Sequence, residues 1–127
     1  MKIRPLRGDE IEKLVGLWKE FMSDHSAIDE PVPSHDRNIR TWKEFVLKLV
    51  KEDPHQVLVA ADGNELVGYI MFQNEVKPPI ELAHKSSLVS DLYVRPSYRR
   101  QGIAKKLFQS CLDSLRKRGI TRVELRV

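Results

Sequence analysis

Cysteine is almost absent from this chain. Cys111 is the one copy, so no internal disulfide can form and a disulfide-stapled secreted scaffold is excluded. That usage suits a reducing cytoplasm, which is the expected location. No apolar run approaches the ~20 residues that a membrane-spanning helix requires. The opening residues, MKIRPLRGDE, lack the apolar centre of a secretory signal. No internal repeat or low-complexity stretch occurs. Two phosphate-binding sequences are missing as well: the G-x-x-x-x-G-K-[ST] loop and the G-x-G-x-x-G dinucleotide fingerprint. Charge of one sign is in short supply too. The net charge is +4, from 22 Lys and Arg against 18 Asp and Glu. This excess favours an anionic ligand without indicating nucleic acid. With 127 residues, 41% hydrophobic and 31% charged, the composition is that of one globular domain over residues 1–127.

The hydrophobic period changes along the chain. Residues 2–6 read as a short strand. Asp9 can cap a helix that carries Ile11, Leu14, Val15, Trp18, Phe21 and Met22 at helical spacing. Two prolines and several polar residues make 23–34 a loop. A second helix over 36–52 puts Ile39, Trp42, Phe45, Val46, Leu49 and Val50 on one face, and Pro54 ends it. Residues 56–61 and 65–73 are β-rich runs flanking Asp62-Gly63-Asn64, a hairpin pattern. Lys77, Pro78 and Pro79 open a loop to about Lys85. Residues 88–94 (LVSDLYV) are apolar on both faces except at Ser90 and Asp91, as in a central strand. A helix follows over 102–118, with Cys111 on its apolar side and Gly119 closing it. A last strand covers 120–127. The order β-α-α-β-β-β-α-β predicts an α/β fold with a mixed sheet. A right-handed crossover would make its last two strands parallel neighbours.

The segment between the 88–94 strand and the following helix carries the chemistry. A helix N-terminus leaves its first N–H groups without intrahelical partners, at the positive end of the dipole. Phosphate oxygens can take those donors. Gly102 and Ala104 are small enough for close approach, and Arg99, Arg100 and Lys105 add positive charge. Cations are disfavoured at that end of a helix, so a bound anion would account for them. A tight turn with solvated arginines accounts for the same residues. The basic cluster Arg116, Lys117 and Arg118 ends the helix, where cations suit the dipole. No aromatic stacking platform accompanies either cluster, which argues against nucleic acid as a partner.

Arg99-Arg100-Gln101-Gly102-Ile103-Ala104 resembles the [RQ]-x-x-G-x-[GA] signature of the GNAT superfamily of N-acetyltransferases. Leu92-Tyr93-Val94-Arg95-Pro96 and Tyr98 before it, and Leu107 and Phe108 after it, are similar to the signature's surroundings. So are Ile3-Arg4-Pro5-Leu6 at the opening strand and Gly68-Tyr69-Ile70 in the hairpin. The resemblance covers nearly the whole chain and implies the acyl-CoA N-acyltransferase fold, with acetyl-CoA as donor. It implies that backbone N–H groups from Arg100 to Lys105 hold the pyrophosphate, and that Leu92, Tyr93 and Val94 present backbone groups to the pantetheine arm and the acetyl carbonyl. The cofactor-binding set is then Leu92, Tyr93, Val94, Arg99, Arg100, Gln101, Gly102, Ile103, Ala104 and Lys105, with no metal.

The implied reaction is direct attack of a primary amine, of a small molecule or a protein, on the thioester. Many members carry a glutamate just ahead of an aspartate in the strand before the turn. Here Ser90 holds that place and Asp91 follows, so Asp91 is the nearest carboxylate for the base. A non-catalytic acyl-CoA-binding sensor or partner domain is the alternative reading. The family continues past the strand resembled by 122–127 with another helix and two strands, so the chain is expected to lack that part. The acceptor amine would be set by the loops at 23–34 and 76–85. Members are often dimeric, which makes a homodimer an expectation.

Overall fold

A computed structural model describes residues 1–26, 36–76 and 86–125. The elements are β1 (Lys2–Pro5), α1 (Ile11–Ser26), α2 (Asp36–Glu52), β2 (Val57–Asp62), β3 (Glu65–Val76), β4 (Ser86–Val94), α3 (Ile103–Lys117) and β5 (Arg122–Leu125). The strands form a five-stranded sheet in sequence order, β1-β2-β3-β4-β5. Neighbours are antiparallel except β4 and β5, which are parallel and joined by the α3 crossover, as the element order predicts. No helix among the described residues is long and apolar enough to cross a membrane.

The sheet is covered on both faces. On one, α1 and α2 bury Leu14, Leu17, Phe21, Val46 and Leu49 against Val57, Val59, Tyr69, Met71 and Tyr93. Trp18 and Trp42 stack at 4.7 Å where the two helices meet. On the other, Ile103, Leu107, Cys111 and Leu115 of α3 pack on Leu58, Ile70, Phe72, Val89 and Val94. Cys111 is a core residue, its thiol pushed up to about 12 by burial.

Local differences from the sequence pattern have identifiable causes. Asp9 does not cap α1. It sits in a single 3-10 turn (Gly8–Glu10), and Glu10 accepts the Arg7 N–H at 3.0 Å while bonding Arg4. The buried stripe of α1 is rotated towards Leu17, which the spacing passed over. Helix α1 runs on to Ser26, so the expected loop begins later, and its remainder lies outside the described residues. Strand β3 continues to Val76, and residues 77–85 also lie outside them. Strand β5 is assigned from Arg122 because Gly119 (φ 73°) and Ile120 close α3 onto Arg116 and Leu115.

The feature of the sheet that matters most for the site is a bulge. Met71 pairs with Asp91 and Phe72 with Val89, leaving Ser90 without a partner on β3. A bulge bends its strand and shifts which face each later residue takes. Val89, ahead of it, lies on the α3 face, whereas Tyr93, past it, lies on the α1/α2 face. The described residues of β5 pair with Ser86 to Val89, all ahead of the bulge. Among the described residues, no strand covers the far edge of β4 from Ser90 onward.

Candidate functional site

The turn leaving β4 is held from three sides. The Arg95 N–H donates to Val67 C=O at 2.8 Å, extending the β3 pairing by one residue. Pro96–Tyr98 forms a 3-10 turn, and the Tyr98 hydroxyl donates to Asp62 Oδ2 at 2.9 Å on the hairpin. Ile103, 4% exposed, anchors the first turn of α3 in the core. Between these anchors Arg100 (φ 65°) and Gly102 (φ 79°) are both left-handed. Glycine takes that conformation freely, while an arginine is strained there by ~1–2 kcal/mol. Left-handed residues among right-handed ones bring successive N–H groups onto one concave side, an arrangement suited to anions.

The start of α3 fits the same purpose. No side chain caps it, no acidic residue occupies its first turn, and its last turn holds Arg116 and Lys117. Gly102, Ala104 and Lys105 are exposed. A Cβ added at Gly102 would meet no other protein atom within 4 Å. The space over the turn is therefore open, and a phosphate could approach the backbone there.

The backbone of β4 serves two edges. The Arg95–Val67 bond and the register make Arg95, Tyr93 and Asp91 the residues whose backbone groups pair with β3. Gly68 agrees with this, since a Cβ there would sit 2.9 Å from the Tyr93 carbonyl oxygen. Leu92 and Val94, the alternate residues, turn their N–H and C=O away from β3, and of these groups the Val94 C=O accepts the Arg99 Nε–H. The sequence expectation grouped Leu92, Tyr93 and Val94 as backbone donors to one ligand. The structure separates them: Tyr93 is committed to β3, and its ring is buried beneath α1.

The side chain of Arg99 also departs from expectation. Its Nε donates to Val94 C=O at 2.8 Å, its guanidinium lies 5.4 Å from the Tyr93 ring centre, and it meets Asp24 Oδ2 of α1 at 3.2 Å. Its charge is therefore paired on the α1 side, while Arg100, Gln101, Lys105 and Lys106 are exposed at the turn. Glu20, one helical turn before Asp24, accepts from the Tyr93 hydroxyl and from Arg95, each at 3.2 Å. Burial, then the charges of Glu20 and Asp24, push the Tyr93 phenol up to about 12. Together these contacts fasten the end of α1 to the end of β4.

Asp91 is 7% exposed and accepts a 2.7 Å hydrogen bond from the Tyr69 hydroxyl. The bulge at Ser90 is what turns it to the α1/α2 face, across the sheet from α3. Ser90 itself donates to Met71 C=O at 3.4 Å. Sequence reasoning missed Tyr69 and Glu20. Tyr69 lies in an apolar strand pattern and Glu20 is one of several charged residues on α1, and only the pairing of distant segments gives them their polar partners.

The model of the acetyltransferase (GNAT) family matches residues 14–127. No curated protein matches the chain. Among solved structures, a ribosomal-protein-alanine N-acetyltransferase from Brucella melitensis is similar at 20% identity and TM-score 0.67, over 100% of this chain and 80% of that one. An aminoglycoside acetyltransferase from an uncultured soil metagenomic sample, in complex with sisomicin, gives 22% and 0.68, over 99% and 76%. A predicted acetyltransferase with acetyl-CoA from Clostridium acetobutylicum gives 16% and 0.76, over 98% and 79%. At such identities these likenesses speak for the fold.

Proposed function

Since the chain belongs to the GNAT acetyltransferase family, we propose that it transfers the acetyl group of acetyl-CoA to a primary amine, of a small molecule or a protein, by direct attack. The observation that carries this reading is the pair of left-handed residues, Arg100 and Gly102, leading into an uncapped and unobstructed helix start. Acetyl-CoA, when bound, supplies an activated thioester carbonyl. The N–H groups from Arg100 to Lys105 hold its pyrophosphate, with Lys105 adding charge. Leu92, and Val94 through its N–H, would offer outward backbone groups to the pantetheine arm, the Val94 C=O being taken by Arg99. The Leu92 N–H would stabilise the carbonyl oxygen as negative charge grows on it, and the C–S bond would then break with coenzyme A leaving as its thiolate. Asp91 takes the proton of the incoming amine, which at an ordinary pKa of ~10 is otherwise charged at neutral pH.

Ser90, where many members carry glutamate, favours a second reading in which the domain binds acyl-CoA without turning it over. Two measurements separate the readings. Acetyl-CoA at 100 times its dissociation constant should stabilise the fold by about 2.7 kcal/mol, seen as a raised melting temperature. Thiol release with a panel of amines should then exceed the amine-free rate. No thermal shift with any acyl-CoA sinks both readings, and a shift without thiol release leaves the binder.

A further inference from the structure

We infer that Tyr69 is a positioning residue for acyl transfer: its buried hydroxyl orients the Asp91 carboxylate and holds it in the ionised, proton-accepting form. Tyr69 is 0% exposed, and a buried phenol O–H requires an acceptor. Asp91 Oδ2 supplies it at 2.7 Å. The two residues are diagonal neighbours, since Tyr69 pairs with Tyr93 and Met71 with Asp91. Phe21 of α1 meets the Tyr69 ring edge-on at 6.2 Å and does the same to Tyr93. The donor therefore has a fixed ring as well as a fixed strand behind it.

A donor to a carboxylate favours its charged form. The Tyr69 phenol is itself raised well above its ordinary value, by burial and then by the Asp91 charge, so it stays a donor throughout neutral pH. The other titratable and charged groups that the described elements bring to this face are Tyr93, Glu20 and Asp24 of α1, and Arg95 and Arg99, which pair with those two carboxylates. Arg4 and Glu10 pair with each other at β1. To this core α2 adds Val46 and Leu49, and β2 adds Val57, Val59 and Ala61. On β5, Arg122 and Glu124 lie beside Ser86 and Leu88, ahead of the bulge. Removing the Tyr69 hydroxyl takes away this one hydrogen bond to Asp91 and leaves the other interactions of the carboxylate in place. The inference rests on Asp91 being the base of the proposed reaction.

The test is a carboxylate carbon-13 NMR titration of Asp91, assigned through Asp91→Asn, beside the pH profile of kcat/KM for acetyl transfer. Tyr69→Phe should raise the titration midpoint by about one pH unit. The acid limb of kcat/KM should move up equally, with the KM for acetyl-CoA unchanged. Asp91→Asn should lower kcat/KM at least ~100-fold and abolish the limb. If Tyr69→Phe fails to fold, site-specific 3-fluorotyrosine at 69 nearly keeps the volume and donates more strongly, so midpoint and limb should move down. A midpoint unmoved by either replacement overturns the inference, even if Asp91→Asn is inactive. A midpoint that moves while Asp91→Asn keeps its turnover overturns it through Asp91, leaving acetyl transfer standing. Binding of acetyl-CoA without turnover of any amine sinks the catalytic reading and this role with it.

Discussion

The two faces of the sheet are both buried, yet they are built from different chemistry. Under α3 the core cluster consists of aliphatic residues with Phe72 and Cys111. Under α1 and α2 the core includes Tyr69 and Tyr93, and Asp91 lies against Tyr69. Strand β4 contributes to both, through Leu92 and Val94 on one side and Asp91 and Tyr93 on the other. The apolar face has a mechanical task, which is to seat α3 so that its open N-terminus and the turn before it keep their shape. The polar face holds ionisable side chains in fixed orientations. If this division is right, substitutions at the turn should act on cofactor binding with little effect on folding. Those on the α1/α2 face should act through pH.

The largest effect should come from the turn. Gly102→Glu is expected to weaken acetyl-CoA binding at least a thousandfold, about 4 kcal/mol by calorimetry. The new Cβ meets no protein atom within 4 Å, so the folding cost should be confined to the left-handed strain of ~1–2 kcal/mol. A variant that binds normally, or one that fails to fold, would break the division.

A smaller effect is expected across the sheet. Arg4 holds the Glu10 carboxyl down to about 2, against 4.5 ordinarily, through a charged hydrogen bond, with the Arg7 N–H assisting. A depressed folded-state value means that the stabilisation is present above pH ~4.5 and is lost as pH falls towards 2. Denaturant melts of the parent and Glu10→Gln should differ by roughly 2 kcal/mol at pH 6 and converge near pH 2. A gap that stays constant with pH would remove this ion pair from the account.

The smallest effect sharpens the comparison within the turn. Arg100→Gly should raise stability by about 1 kcal/mol, because glycine accepts a φ of 65° without strain. If stability falls instead, the Arg100 side chain makes a contribution that outweighs its backbone.

Much of this molecule was legible in the order of its residues. Periods of 2 and 3.6 marked the strands and helices, and Asp62-Gly63-Asn64 marked the hairpin. A strand followed by a glycine-containing basic turn and an amphipathic helix marked the turn proposed to bind an anion, because helix-end donors and glycine conformation are local properties. The limits of that reading appear at particular residues. Leu17 was passed over because α1 turns its face to suit α2 as well as the sheet. Arg99 and Arg100 look alike in the chain, but Asp24 and the Val94 carbonyl engage one side chain while the other is exposed.

The sequence by itself therefore determined the element order and the placing of glycine and basic residues at the start of α3, the features on which the proposed anion site rests. Tertiary structure alone decided what β4 does with each residue. Simple alternation would put Val89, Asp91 and Tyr93 on one face. The unpaired Ser90 breaks that parity, sending Asp91 to Tyr69 and turning the backbone of Leu92 and Val94 to the uncovered edge. A bulge is a property of two paired strands, and β3 lies some twenty residues away in the chain.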